Sequence, residues 1–297
     1  MMAPLNFGIS TDDFRSTIFE KEAAIFRGAC ANAFNPPLDI ASALTYGSHK
    51  DGRVNMFLDG PLPFNLFTET YQDVTEVGRR VVLQQVEQLL EQGATLSINR
   101  IDRLDPQVRD ICRQIQSFTQ EIATANCYAA TSGNGTFGRH WDTHDVIALQ
   151  LTGRKRWKVW KPTYHLPTPG QVSRPHRPLT TPNPDIDIVI EAGDALYLPR
   201  GWWHEATPIS GHSTIHLAVG LHASTLADYI GWLATELLPK HAPLRQSFES
   251  IVHDEVNLTE ALESFHRAAQ EKPYIKSYSQ LHKKVLATPS SSFESAF

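Results

Sequence analysis

Two histidines and one aspartate carry the strongest chemical signal in this chain. They are His140 and Asp142, separated by one tryptophan, and His204, sixty-two residues after Asp142, at the end of the run Gly193-Asp-Ala-Leu-Tyr-Leu-Pro-Arg-Gly-Trp-Trp-His204. On an extended segment, residues two apart leave the same face with roughly 6–7 Å between backbone positions, so His140 and Asp142 are placed to share one ion. His144 keeps the same parity, but an extended strand puts it roughly 13 Å along from His140, too far for two short metal–nitrogen bonds unless the strand bends sharply. The third ligand is therefore sought elsewhere. His204 follows the apolar run Ala195–Leu198 and a Pro-Arg-Gly turn, which places it at a strand end where a neighbouring strand brings it opposite the pair. Two imidazoles and a carboxylate on one side of an octahedral ion leave three positions open, the arrangement of non-haem Fe(II) oxygenases. Closed structural zinc sites use four protein ligands. A His-x-Asp triplet alone also arises in surface polar clusters, so the weight falls on its surroundings.

Those surroundings are specific. The stretch Phe137-Gly-Arg-His-Trp-Asp-Thr-His-Asp-Val-Ile-Ala-Leu-Gln-Leu-Thr-Gly-Arg-Lys-Arg-Trp-Lys-Val-Trp160 resembles the metal-binding core of the JmjC-type cupins, in particular the bacterial and eukaryotic ribosomal oxygenases. The stretch Gly193–His204 resembles the second half of that core, in the right order. The resemblance implies Fe(II) held by His140, Asp142 and His204, with 2-oxoglutarate as co-substrate and O2 as oxidant. It also implies that a basic residue fifteen positions after the first histidine, here Lys155, binds the far carboxylate of 2-oxoglutarate. A compact ammonium suits that task; by charge alone, the run Arg154-Lys-Arg156 reads as a solvated basic turn. Asn126 and His216 match positions that line the co-substrate pocket in the eukaryotic members. The alternation of Thr214–Gly220 puts Ile215, Leu217 and Val219 on one face and His216 with the small Ala218 on the other, the face with room for a ligand. Thr131 corresponds to a hydroxyl residue near the co-substrate in the bacterial members. It has opposite parity to Asn126 on the strand expected over Asn126–Thr131, so both face the pocket only if the strand bulges or ends there. Arg139, Trp141 and His144 border the metal segment and are expected either at the substrate or in packing.

The chemistry implied is hydroxylation of a side chain of a protein or peptide substrate, with release of succinate and CO2. Attack on an N-methyl group gives demethylation by the same step. Two rival readings are a catalytically silent metal-binding cupin that serves as an interaction module, and a zinc hydrolase-like site with an activated water. A silent barrel has no chemical need for the triad together with Lys155.

The elements that must position these residues can be read in outline. The 297 residues are 41% hydrophobic and 20% charged, enough for one large domain plus an appendage. A net charge of −5 gives no electrostatic footprint for direct nucleic-acid binding or for an anionic membrane. The three cysteines, Cys30, Cys112 and Cys127, form no Cys-x-x-Cys pair and suit a reducing compartment. With no apolar run near eighteen residues and no leader pattern, a soluble cytoplasmic protein is expected.

The expected fold is α+β and mainly β, with a double-stranded β-helix (jelly-roll, or cupin) core. Mixed helices and strands precede it and a helical appendage follows. One helical face runs through Val81, Val82, Val86, Leu89 and Leu90, and Ala94–Asn99 reads as a strand. Asp105 caps a helix that opens on Pro106, with a stripe of Val108, Ile111, Cys112, Ile115, Phe118 and Ile122. Short strands are expected over Asn126–Thr131, Asp145–Leu151, Arg156–Trp160, Ile186–Ile190, Ala195–Leu198 and Thr214–Gly220, with the loop Pro162–Pro184 between them. This gives a catalytic domain over 1–222, its barrel at about 125–221, and a helical region over 223–297. Helices are expected around Leu226–Leu238, Leu258–Gln270 and Tyr274–Leu286, and a mobile tail over Pro289–Phe297. In the ribosomal oxygenases a helical segment after the barrel mediates dimerisation and a winged helix follows; this chain is too short for both, so a reduced helical appendage is expected, a homodimer is one role for it, and a ribosomal-protein substrate does not follow from the resemblance.

Overall fold

The computed structural model describes residues 3–286 except 35, 48–51, 73, 76, 133–134, 210, 241–244, 246 and 248–257. The expected tail over Pro289–Phe297 lies outside the described residues. The chain divides into two compact units, Met1–His222 and Ala223–Phe297.

In the first unit, β1 (Ala24–Phe26), β2 (Val54–Phe57), the hairpin β3 (Thr68–Gln72) and β4 (Val77–Val81), and β5 (Thr95–Ile98) precede the barrel core. The core comprises β6 (Ile122–Ala130), β7 (Asp145–Thr152), β8 (Arg154–Trp160), β9 (Ile186–Glu191), β10 (Ala195–Leu198), β11 (Trp203–Pro208) and β12 (Thr214–His222). Seven strands form one antiparallel sheet in the order β1-β10-β7-β12-β6-β5-β2, and three form a second in the order β11-β8-β9. Val146, Ala148, Leu196 and Leu198 of the large sheet pack with Trp157, Val159 and Ile190 of the small one in a single buried cluster. Two antiparallel sheets closed on one apolar core, with connections crossing between them, make the double-stranded β-helix expected from the strand pattern.

Helices clothe the outside of the large sheet. The helix Pro106–Thr119 begins where the Asp105 carboxylate accepts the Val108 N–H at 2.9 Å, and it ends at Gln120, whose φ of 62° is left-handed. It buries Val108, Ile111, Cys112 and Ile115, and the N–H of Ala123 in β6 donates to Gln116 Oε1 at 3.1 Å. Ile122, expected on the same helical stripe, instead opens β6, because Gln120 has already turned the chain. The helix Leu83–Glu91 also starts later than its apolar pattern does: Val81 ends β4 and Val82 is the extended residue before the first turn.

The second unit holds the helices Leu226–Leu237, Leu258–Ala269 and Lys272–Leu286. Leu233, Leu237 and Ala268 form its buried centre, flanked by Tyr229, Trp232 and Phe265. Among the described residues, no helix is long and apolar enough to cross a membrane.

The cap on the helix Pro106–Thr119 gives a test of this packing. Asp105→Ala should lower the unfolding free energy by about 1 kcal/mol in urea denaturation, and Asp105→Ser should restore most of it. Equal stability of Asp105→Ala and the parent would show that the cap contributes nothing.

Candidate metal centre

His140 lies in an irregular segment ahead of β7, whereas His204 lies in β11 of the other sheet. A reciprocal main-chain pair joins them: His140 N–H donates to His204 O at 3.1 Å and His204 N–H to His140 O at 2.8 Å. The two rings consequently sit 4.3 Å apart, centroid to centroid. Asp142 Oδ1 is 4.0 Å from His140 Nε2, and Asp142 Oδ2 is 3.6 Å from His204 Nε2. One ligand atom from each of the three lies within 4.8 Å of the others, a property that no other His/Cys/Asp/Glu group shares among the described residues.

The outer ring nitrogens fix the tautomers. His140 Nδ1 is 2.9 Å from Gly138 O and His204 Nδ1 is 3.1 Å from Trp202 O. A carbonyl only accepts, so each Nδ1 carries the proton and each Nε2 presents a lone pair toward Asp142. Burial, then the neighbouring His140, hold the pKa of His204 down to about 4, so the ring is neutral at pH 7, the form that binds a metal. Burial pushes the Asp142 carboxyl up, but His204, His140 and His144 together outweigh it and hold it below its ordinary value.

A second buried network braces the two halves of the motif. Asp145, fully buried at the start of β7, accepts from Tyr197 Oη at 2.9 Å and from Arg200 Nη1 at 2.9 Å. Arg200 Nη1 also pairs with Glu20 at 2.6 Å. One residue on, Gly201 N–H donates to Asp142 O at 3.1 Å, joining the turn before His204 to the aspartate itself. Gly201 has φ of 86°, and a Cβ there would stand 2.5 Å from Tyr164 O, so only glycine fits.

The triad opens into a cavity of about 460 Å³ that also takes in Lys155, Asn126 and His216. Lys155 projects inward from β8, 6% exposed, and burial pushes its pKa down to about 8. Among the described residues, no hydrogen bond or ion pair reaches its ammonium. His216 stacks on Tyr128 at 5.2 Å and meets Trp157 edge-on at 5.8 Å. Burial, then Lys155, hold its pKa well down, and its Nδ1 is buried without a partner. A register shift between Ile215 and His216 in the pairing of β12 with β7 adjusts how His216 enters the cavity. Asn126 Oδ1 accepts the Arg100 N–H at 2.9 Å, which fixes that side chain at the cavity wall.

The expectation for Thr131 is corrected. β6 ends at Ala130, and the Thr131 hydroxyl donates to Leu90 O and lines a separate cleft on the helical side of the sheet. Although β6 ends one residue before it, Thr131 turns to Leu90 and not to the triad. Of the three residues bordering the metal segment, His144 lines the cavity, its ring against the bare Cα of Gly220. Arg139 instead holds the loop over 161–185 through Thr180 Oγ1 at 2.7 Å and stacks on Trp160, while Trp141 packs with Trp160 and Trp203. Tyr128, Thr124 and Trp157 also line the cavity and were not anticipated. The signal was available: Thr124 and Tyr128 share the parity of Asn126 on β6, and Trp157 that of Lys155 on β8.

The donor set fits a metal plus a dicarboxylate. Two imidazoles and one carboxylate face the open side of the cavity, and further in lies a buried ammonium with no acidic partner among the described residues. Residues 98–229 match the JmjC domain profile. Among curated proteins, the chain is 30% identical over 154 residues to the bifunctional lysine-specific demethylase and histidyl-hydroxylase NO66 of Drosophila persimilis, covering 52% of this chain and 21% of that one. It is 29% identical over 175 residues to ribosomal oxygenase 2 of Rattus norvegicus, covering 57% of this chain and 37% of that one. The chain thus spans well under half the length of these relatives. Among solved structures it resembles YcfD, a ribosomal oxygenase from Escherichia coli, in complex with cobalt and 2-oxoglutarate, with a TM-score of 0.56, 19% identity, and coverage of 92% of this chain and 70% of that one.

The brace around Asp145 is open to measurement. Arg200→Met should cost about 3–5 kcal/mol of stability by leaving Asp145 charged and unpaired. Adding Asp145→Asn should recover a large part of that loss in equilibrium denaturation. A single variant as stable as the parent would remove the pair from the support of the site.

Proposed function

We propose that this chain is an Fe(II)- and 2-oxoglutarate-dependent oxygenase that hydroxylates a side chain of a protein or peptide substrate. The observation that carries the reading is the convergence of two tautomer-fixed Nε2 atoms and the Asp142 carboxylate on one side of a cavity whose far part holds an unpaired buried lysine. His140, Asp142 and His204 hold the iron from one side and leave the opposite side open. Lys155 binds the far carboxylate of 2-oxoglutarate, with Asn126 and His216 lining the same pocket. When bound, the iron supplies the oxidative decarboxylation of 2-oxoglutarate to succinate and CO2, coupled to oxygen insertion into a substrate C–H bond. Burial of the Lys155 ammonium leaves its attraction for an anion weakly screened. The relatives named for demethylation and histidine hydroxylation support either outcome of that insertion, and the protein or peptide class of substrate follows the same relatives. The unit over 1–222 is the catalytic part, and the helical unit over 223–297 pairs two copies.

Three outcomes test this reading. Asp142→Ala should abolish succinate formation from 2-oxoglutarate, and unchanged production would remove Asp142 from the site. Anaerobic addition of Fe(II) and 2-oxoglutarate to the parent should give the weak visible charge-transfer band of a chelate; a metal-loaded protein without that band would favour the silent cupin.

Lys155→Ala should weaken 2-oxoglutarate binding by roughly tenfold to a hundredfold, the loss of one charge-assisted hydrogen bond. Because the folded lysine titrates near 8 and the unfolded one near 10.5, the ammonium is lost as pH rises through about 8. Co-substrate affinity should therefore fall above that pH in the parent and much less in Lys155→Arg. The stability of the ligand-free protein runs the other way: between the two values the unfolded state holds more protons, so this group adds stability as pH rises. Affinity flat from pH 7 to 9 would exclude Lys155 as the anion's partner.

A further inference from the structure

The turn that delivers His204 to the metal site is gripped by a segment far from it in sequence. Residues 199–202 form that turn, closed by Trp202 N–H to Pro199 O at 3.1 Å, and Gly201 N–H ties it to Asp142 O at 3.1 Å. Its other anchor is the Arg200 guanidinium, whose Nη1 meets two carboxylates, Asp145 at 2.9 Å and Glu20 at 2.6 Å. Asp145 opens β7, whereas Glu20 lies in the N-terminal segment ahead of β1. The same segment also holds β10, the strand that leads into the turn. β1 pairs with it antiparallel, Ala24 opposite Tyr197. Phe14 meets the Tyr197 ring edge-on at 5.1 Å, and Phe19 stacks on it at 6.3 Å. Glu20 N–H donates to Tyr197 Oη at 2.9 Å, and that hydroxyl donates to Asp145. Glu20 therefore reaches the support of the turn twice, by its N–H through Tyr197 and by its carboxylate through Arg200.

The backbone is strained where it makes these two contacts. Glu20 has φ of 60°, a left-handed conformation that is costly for a residue with a side chain, and it follows the π-helical turn Phe14–Ile18, in which Phe19 N–H donates to Phe14 O at 2.9 Å. Strain of this kind persists only where the surrounding contacts over-determine it. Resting on the reading of the triad as a metal site, we propose that Glu20 is a positioning residue of that site. Through Arg200 it holds the turn over 199–202 where Gly201 can reach Asp142 and where Asp142 and His204 face one ion. Without the Glu20 carboxylate, Arg200 keeps Asp145 alone, and the turn is anchored to β7 but no longer to the N-terminal segment. The spacing between Asp142 and His204 then loosens. Groups that orient metal ligands from outside the ligand shell change metal affinity by about tenfold to a hundredfold when removed. Glu20 acts one link further out than such a group, so the smaller change applies.

The test titrates the full chain, stripped of metal, with Co(II) at a temperature where every variant is folded, and reads the visible absorption of the bound ion. Glu20→Gly deletes the carboxylate and also relieves the left-handed backbone, so the fold is kept. Its Kd for Co(II) should rise about tenfold. Glu20→Gln, whose amide oxygen still accepts from Arg200, should recover most of that loss. Asp105→Ala, which weakens the cap of the helix Pro106–Thr119, serves as a destabilised control and should bind Co(II) as the parent does. Equal Kd for Glu20→Gly and a parent that binds Co(II) would overturn the proposal and leave the metal reading standing. An equal rise in Asp105→Ala would overturn it too, by showing that affinity merely follows stability. A parent that binds no Co(II) would refute the metal reading itself, and the role of Glu20 with it.

Discussion

Two main-chain hydrogen bonds between His140 and His204 set the geometry on which everything else in this molecule depends. His204 belongs to the small sheet and His140 to the segment entering the large one, so the bridge is where the two sheets are tied at the barrel mouth. Main-chain pairing fixes Cα positions more tightly than side-chain packing does, because each bond has a narrow range of length and angle. The imidazoles need only short, tautomer-specific contacts to Gly138 O and Trp202 O to complete their orientation. A metal site assembled from two sheets is then no looser than one built on a single strand.

Two buried cations in the same barrel show opposite physical settings. Arg200 sits 8% exposed and meets two carboxylates and a tyrosine-linked network, so its charge is matched inside the protein. Lys155 is just as buried and has no matching acid, and its depressed pKa records the cost of that isolation. A matched pair stiffens a turn; an unmatched charge in a polar cavity is a binding potential that only a ligand can satisfy. His216 stands close enough to feel that charge, and both groups are held in their neutral direction by burial.

Much of this was legible in the sequence, and the failures have identifiable causes. The strand signals of β7, β9, β10 and β12 were readable because branched and aliphatic residues dominate them, and the expected bounds fall within a residue or two of those observed. β11 was not marked as a strand: Trp203-His-Glu-Ala-Thr-Pro208 has no apolar alternation, and its identity comes from pairing with β8, a tertiary effect. β1 and β2 are too short to carry a period, and the β3–β4 hairpin is largely exposed on both faces, so its sequence lacks the contrast that burial imposes. Thr131 shows the converse case. Its parity argued against the pocket unless the strand ended there; β6 does end at Ala130, yet the Thr131 hydroxyl turns to Leu90 O. Tyr128 and Trp157 could have been named by the same parity that placed Asn126 and Lys155, since a strand that shows one residue to the cavity shows every second one.

The division of labour between the inside and the rim of the barrel follows from these constraints. Inside, Asn126, Lys155, His204 and His216 are fixed by strand register, and moving one of their strands by one residue would turn its cavity-facing side chains outward. The rim is built from connections that carry no register: the turn after β2, the segment before β7 and the hairpin that follows. Phe57 is the point where the two regimes meet, since it is the last residue paired in β2 and the first to touch the rim aromatic Phe137. A change in the β2–β3 connection therefore alters the rim without moving the strands that carry Lys155 and His204.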